Sequence, residues 1–194
     1  SHFAHAIILA ALLALPGVVG VHLNLQPDAA STYIGRETRC LAGEQRLIEH
    51  VGGVDFHVSP DAFFQTNTYC ADQLLKLVQK HLPNKSMNPI LDLYSGVGLF
   101  SIPLAVAGHR VTAVEENPKA VSDGVETIRR NGVTGCRFVQ SRAQNFMKTQ
   151  ARDQRFKTVI LDPPRDGCPE WTIRLLGRGL RPRQIINVSC NPQA

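Results

Sequence analysis

The spacing of apolar positions changes along the chain, and each change predicts a different kind of element. Residues 6–21, AIILAALLALPGVVGV, are apolar for 16 positions with a Pro16-Gly17 break. This block reads as a buried helix followed by a buried strand. VVGVHLNL, residues 18–25, is strand-like, and QPDAAST after it reads as a loop. RLIEHV and VDFHVS flank Gly52-Gly53 and predict a hairpin. Residues 61–81 then follow a helical period, with Leu74, Leu75, Leu77 and Val78 on an apolar face. Pro83 and the NKSMNP stretch end that helix.

From residue 89 the apolar runs become short and alternate with helical segments. ILDLY is a strand, SGVG a glycine turn, LFSIPLAVA a helix and VTAVE a second strand. NPKAVSDGVETIRRNG carries helix punctuation at both ends, with Asn117 as cap, Pro118 in the first turn and Gly132 as terminator. CRFVQ, TVILDPP and QIINVSC follow as strands separated by helical or basic segments. Alternation of this kind predicts an α/β fold whose mostly parallel sheet is covered on both faces. The expected division is a small mixed α/β lobe over residues 1–58, a connecting helical segment over 59–88, and the sheet domain over 89–194.

Composition narrows the class. The 194 residues are 43% hydrophobic and 19% charged, as in an ordinary globular protein. Five cysteines, at positions 40, 70, 136, 168 and 190, form no CxxC pair, so no disulfide framework or zinc site is expected. The apolar block falls short of the roughly 20 residues that span a bilayer. No Lys or Arg precedes it as in a signal peptide, and a soluble, cytoplasmic protein without a membrane partner is expected. The net charge of +5 is unevenly placed: residues 129–183 hold 13 Lys/Arg against 4 Asp/Glu. A basic half of this kind suits a phosphate backbone.

The candidate chemistry gathers at the ends of the predicted strands. Ligands of a doubly wound sheet bind at the carboxyl ends of its strands. Gly96 and Gly98 allow close backbone approach there, and Glu115, ending the next strand, is placed to accept from ribose hydroxyls. Ser101 stands where a dinucleotide site has its third glycine. Asp92 inside the first strand suits a cationic ligand, and the two together favour S-adenosylmethionine over a dinucleotide. Asp162 and the two prolines of DPPR form a rigid strand exit facing the same crevice. Arg165 replaces the aromatic that base-amine methyltransferases place after a similar turn. Cys190 ends the last strand. A thiolate at that edge has a use, because adding it to carbon 6 of uracil makes carbon 5 nucleophilic. Basic surroundings would favour its ionisation.

These stretches resemble the S-adenosylmethionine-dependent RNA 5-methyluridine methyltransferases. SPDAFFQTNTYCADQLL, ILDLYSGVGLFSIPLA, VTAVEENPKAV, TVILDPPRDG and INVSCNP follow that family's order over nearly the whole chain. The resemblance implies a Rossmann-like class I methyltransferase fold lacking its C-terminal strands. It implies Cys190 as nucleophile and Asp162 close to the target base. It also implies a cofactor site lined by Gln65, Tyr94, Gly96, Gly98, Leu99, Glu115 and Asp162, with no metal. Its substrate would be tRNA or rRNA, and the protein a monomer. Ser95 and Leu99 depart from residues common in the family, so any polar contact at Leu99 is through its backbone. Family members continue past SCNP to a glutamate base, so the 194-residue piece is expected to stall after forming its adduct. A methyltransferase of a base amine or small molecule, or a non-catalytic RNA-binding module, are the alternatives.

Overall fold

Five short parallel strands form the centre of the protein, in the order β7-β6-β5-β8-β9. They are β5 (Ile90–Leu93), β6 (Val111–Glu115), β7 (Cys136–Gln140), β8 (Thr158–Leu161) and β9 (Gln184–Asn187). The computed structural model describes residues 2–25, 35, 37–83, 89–149, 156–164 and 166–189. Every residue of β5 and β8 is buried, as continuous apolar runs in a two-sided parallel sheet should be. Ile90, Val111 and Ile160 pack on one face with α2 (Thr68–His81) and α3 (Ser101–Val106). Helix α4 (Pro118–Arg130) contributes Ala120 to the same side. Leu91, Leu93, Val114, Val159 and Leu161 pack on the other face with α5 (Ala143–Thr149) and the region of α6 (Glu170–Leu175). A π-helical turn over Leu176–Leu180 follows α6.

The predicted α/β class and its strands are present. Helix α4 begins as expected: Asn117 Oδ1 accepts from Lys119 N at 2.9 Å, and Pro118 fills the first turn. Before the sheet lie α1 (His2–Leu13), the antiparallel pair β1 (Gly20–Leu25) and β2 (Glu37–Gly43), and the hairpin β3 (Leu47–Val51) to β4 (Val54–Val58). Gly52 and Gly53, both at positive φ, make the two-residue turn of that hairpin. Strand β2 was not expected, because ETRCLAG is polar and lacks a clear alternation.

Two expectations are corrected. The apolar block forms a helix and a strand, but not buried ones: Ile7 and Ile8 are 56% and 57% exposed, and Val19 is exposed. Among the described residues its helix packs chiefly on the two-stranded β1–β2 ribbon, which is too narrow to cover it. The second helix begins at Thr68, not near residue 61. Asn67 caps it by accepting from Cys70 N at 3.0 Å, and Leu77 turns outward while Ala71, Leu75 and Val78 are buried. The QPDAAST loop and most of NKSMNP lie outside the described residues, as do Arg165 and Cys190.

The hairpin joins the sheet layers through a polar ladder. Three N–H groups on the outer edge of β4 or just past it are donated to side chains along α4. Asp55 N donates to Asn131 Oδ1 at 3.1 Å, His57 N to Thr127 Oγ1 at 3.0 Å and Ser59 N to Asp123 Oδ2 at 2.7 Å. The match is geometric. Alternate strand residues are about 6.8 Å apart and every fourth helix residue about 6 Å. An edge strand that would otherwise present free donors is thereby covered by a helix.

Candidate active site

The order of the sheet places the site. From β5 the chain moves outward through β6 and β7, then returns to add β8 and β9 on the other side of β5. The reversal falls between β5 and β8, and ligands of open α/β sheets bind at the carboxyl ends of the strands there. Tyr94 to Gly98 follow β5, Glu115 ends β6, and Asp162 follows β8. Asp162 N donates to Leu93 O, and Val188 N to Leu161 O, so these exits stay in register.

Glu115 braces the glycine turn. Its Oε2 accepts from Gly96 N at 2.9 Å and its Oε1 from Asn117 N at 2.8 Å. A carboxylate has about four lone-pair sites, so each oxygen keeps capacity for a hydroxyl donor. A Cβ placed on Gly96 would meet nothing within 4 Å, and the backbone there faces open space. Gly98 differs. A Cβ on it would stand 2.7 Å from the Phe138 ring and 2.9 Å from Ile102. Gly124 of α4 meets the same ring, so Phe138 lies between the turn and the helix. Gly98 serves packing, and Leu99 is buried in the same cluster, which leaves only its backbone for a ligand.

Tyr94 holds a positive φ of 64°, rare for a residue with a side chain. Its hydroxyl lies 3.4 Å from Thr172 Oγ1 of α6, and burial raises the phenol above its usual range. Gln65 is half-buried in the loop between β4 and α2. Its neighbour Phe64 packs its ring 5.4 Å from that of Phe56. Asp162 is partly buried, and that burial lifts its carboxyl to about 6.

Asp92 takes a different place from the one expected of it. It is 0% exposed, beneath the turn, with Oδ2 accepting from Ser101 Oγ at 2.6 Å. Burial lifts its carboxyl to about 7, and the Asp162 and Glu115 carboxylates add to the rise against the lowering bond from Ser101. Asp92 is therefore an internal support of the turn and not a surface for a cation. Ser101 and Thr172 were missed as site residues. Ser101 entered the sequence reading only as an absent glycine, and nothing local marks Thr172.

A pH dependence follows from Asp92. A carboxyl raised in the folded state binds its proton more tightly there than when unfolded. Its stabilising effect is then complete below about pH 4 and lost as pH rises through about 7. Asp162 acts in the same direction. Asp92→Asn keeps an acceptor for Ser101 and cannot ionise, so urea unfolding at pH 8 should show it roughly 2–4 kcal/mol more stable than the parent. At pH 4 the two should be nearly equal. An unchanged pH profile would remove Asp92 from this role.

A five-stranded parallel sheet in this order, with a glycine turn after its first strand and an acid after its second, is a Rossmann-like class I methyltransferase fold. A solved putative S-adenosylmethionine-dependent methyltransferase from Streptococcus mutans shares that fold at 15% identity. Its TM-score is 0.60, over 97% of this chain and 51% of the other. The family model for tRNA (uracil-5-)-methyltransferase matches residues 43–194, and the chain belongs to that family.

The relatives agree with that assignment. An uncharacterized RNA methyltransferase of Gloeobacter violaceus is 33% identical over 90% of this chain and 37% of its own length. The 23S rRNA (uracil(747)-C(5))-methyltransferase of Pyrococcus horikoshii is 35% identical over 89% of this chain and 39% of its own. The Pyrococcus abyssi tRNA (uracil-54, C5)-methyltransferase, solved in complex with S-adenosyl-L-homocysteine, superposes with a TM-score of 0.72. It is 29% identical over 90% of this chain and 42% of that one. The chain thus spans well under half the length of these relatives.

Proposed function

We propose that the chain carries the reaction centre of an RNA methyltransferase that uses S-adenosylmethionine to methylate carbon 5 of a uridine in tRNA or rRNA. The observation that carries this reading is the gathering of Gly96, Glu115 and Asp162 at the carboxyl ends of β5, β6 and β8, beside the β5/β8 reversal, in a chain of the uracil-5 family. The residues present fit the cofactor. Gly96 leaves room for a close ligand, and the free lone pairs of Glu115 suit the ribose hydroxyls. Gln65, Tyr94, Leu99 and Asp162 complete the proposed cofactor surface, with Gly98 shaping the turn from below. When bound, the cofactor supplies an electrophilic methyl group on a sulfonium.

The chain's own part is to activate and hold the base. Cys190 follows β9 by three residues in sequence. Its role as nucleophile rests on that position and on the family resemblance. Addition of its thiolate to carbon 6 forms a C–S bond and moves an electron pair to O4 as an enolate, so that carbon 5 becomes nucleophilic. Once carbon 5 has taken up a methyl group, loss of its proton to a base restores the double bond and expels the thiolate. Asp162, at the same edge, accepts the imide N3–H of the uracil when ionised.

Incubation with cofactor and a 5-fluorouridine tRNA transcript tests this reading. Fluorine in place of the carbon-5 proton blocks expulsion of the thiolate, so a covalent protein–RNA species should accumulate in denaturing mass spectra. Cys190→Ala should abolish it. Persistence of the adduct in that variant removes Cys190 from the chemistry, and methyl transfer surviving the change favours a base-amine reaction instead.

A further inference from the structure

The edge of the sheet opposite the crevice has a charge pattern that the reaction does not use. Each strand but β5 is entered or begun by a cation: Arg110 before β6, Arg137 in β7, Lys157 before β8, and Arg181 and Arg183 before β9. Backbone bonds join these entrances into one rim. Arg183 N donates to Lys157 O at 2.8 Å, Ile90 N to Arg110 O at 2.8 Å, and Val111 N to Gly135 O at 2.8 Å. Gln184 Nε2 donates to His81 O at 2.6 Å and brings the end of α2, with Lys80, against the start of β9. At strand spacing the rim is about 19 Å wide. A groove of about 500 Å³ opens in it, lined by Arg110, Arg137 and Pro89 among others.

Among the described residues no carboxylate stands at a strand entrance. The opposite, reaction edge carries Glu115, Glu116, Asp162 and Asp166, and its cations Lys119 and Arg142 are paired with Asp61 and Glu116. Cations in the last turn of a helix, such as Lys80 or Lys148, are expected from the helix dipole alone. Those at the strand entrances have no such explanation. A polyanionic substrate also gains little affinity from an edge lined with carboxylates and must be held elsewhere.

We propose that the amino-terminal edge of the sheet is a second RNA contact, binding the phosphodiester backbone of the same RNA whose uridine enters the crevice. This rests on the RNA reading of the site. The contact is to phosphate and is therefore independent of sequence, and it supplies affinity and salt dependence but no choice of uridine.

The test is fluorescence anisotropy of a labelled tRNA transcript with the 194-residue chain across a salt series. The triple change Lys157→Gln, Arg181→Gln and Arg183→Gln removes three exposed or half-buried cations of the rim. A control triple, Arg39→Gln, Lys76→Gln and Arg174→Gln, changes the net charge equally at surface pairs elsewhere. The rim variant should bind RNA about tenfold more weakly near 0.1 M salt, with a log–log salt slope shallower by about 2. Its affinity for S-adenosylhomocysteine and its circular dichroism should match those of the parent.

Equal affinity and slope in the rim variant overturn the proposal. An equal loss in the control triple overturns it too, because net charge alone would then be responsible. Displacement of RNA by polyglutamate as readily as by unlabelled RNA marks the rim as a face for acidic protein and also overturns it. Failure of the parent chain to bind RNA at low salt overturns both this contact and the RNA reading of the crevice, whereas an unaffected rim variant overturns this contact alone.

Discussion

Replacing Asp123 with alanine is expected to destabilise the chain by roughly 3 kcal/mol or more, the range for breaking a buried charge pair. Asp123 is fully buried and receives three groups that start far away in sequence. Arg46 Nε donates to its Oδ1 at 2.8 Å, Ser59 Oγ to the same oxygen at 2.7 Å, and Ser59 N to its Oδ2 at 2.7 Å. Removing the carboxylate leaves the Ser59 donors without acceptors in a partly buried place. Arg46 is one-third exposed and turns to solvent at lower cost. For a chain of this size the melting temperature should fall by roughly 6–12 °C. Arg46→Met should also cost roughly 3 kcal/mol, since it leaves the fully buried carboxylate without its cation although both Ser59 bonds remain. Thermal unfolding of the two variants side by side decides it, and a loss below about 1 kcal/mol in either contradicts this account.

Gly98→Ala should cost about 3 kcal/mol, from two sources that add. The residue lies at φ +92°, where a side chain strains the backbone by roughly 1–2 kcal/mol. Its new methyl group would overlap Phe138 and Ile102, an overpacking cost of roughly 1–3 kcal/mol. The turn that carries Gly96 and Tyr94 must then move, so affinity for S-adenosylhomocysteine should fall at least tenfold with it. Gly96→Ala offers the contrast. Its Cβ enters open space, so only the strain of its φ of +53° remains, and it should cost roughly 1–2 kcal/mol while still losing ligand affinity. Adding Phe138→Leu to Gly98→Ala should recover part of the lost stability. Urea midpoints and calorimetric titration separate these effects, and an unchanged midpoint for Gly98→Ala would falsify the packing argument.

The legible parts of the fold were those written within one element. Asn117, Pro118 and Gly132 bracket α4 through contacts of two or three residues, and Gly52-Gly53 turns the hairpin locally. Continuous apolar runs marked β5, β6 and β8, because both faces of a parallel sheet are covered. The start of α2 was less legible, since AFFQT continues a helical period until Asn67 interrupts it. Exposure of α1 was not legible at all, because apolar character states what a helix can bury and not what lies beside it. For the site, Glu115 and Asp162 followed from strand ends alone. Asp92 did not, since its seat beneath the turn depends on Ser101 and on both neighbouring strands.

By itself the sequence determined the strand–helix alternation, the caps, the glycine turn and the acids that follow strands, all short-range properties of neighbouring residues. It also held the spacing Asp123, Thr127, Asn131, but as an unexplained polar row on a helix. Only the tertiary structure made that row the cover of an edge strand some 70 residues away. Only it assigned Gly96 to open space and Gly98 to the Phe138 ring, and set the cations of separate strand entrances side by side along one rim. The reason is physical: burial and strand register come from long-range packing, which sets residues side by side that the chain keeps apart.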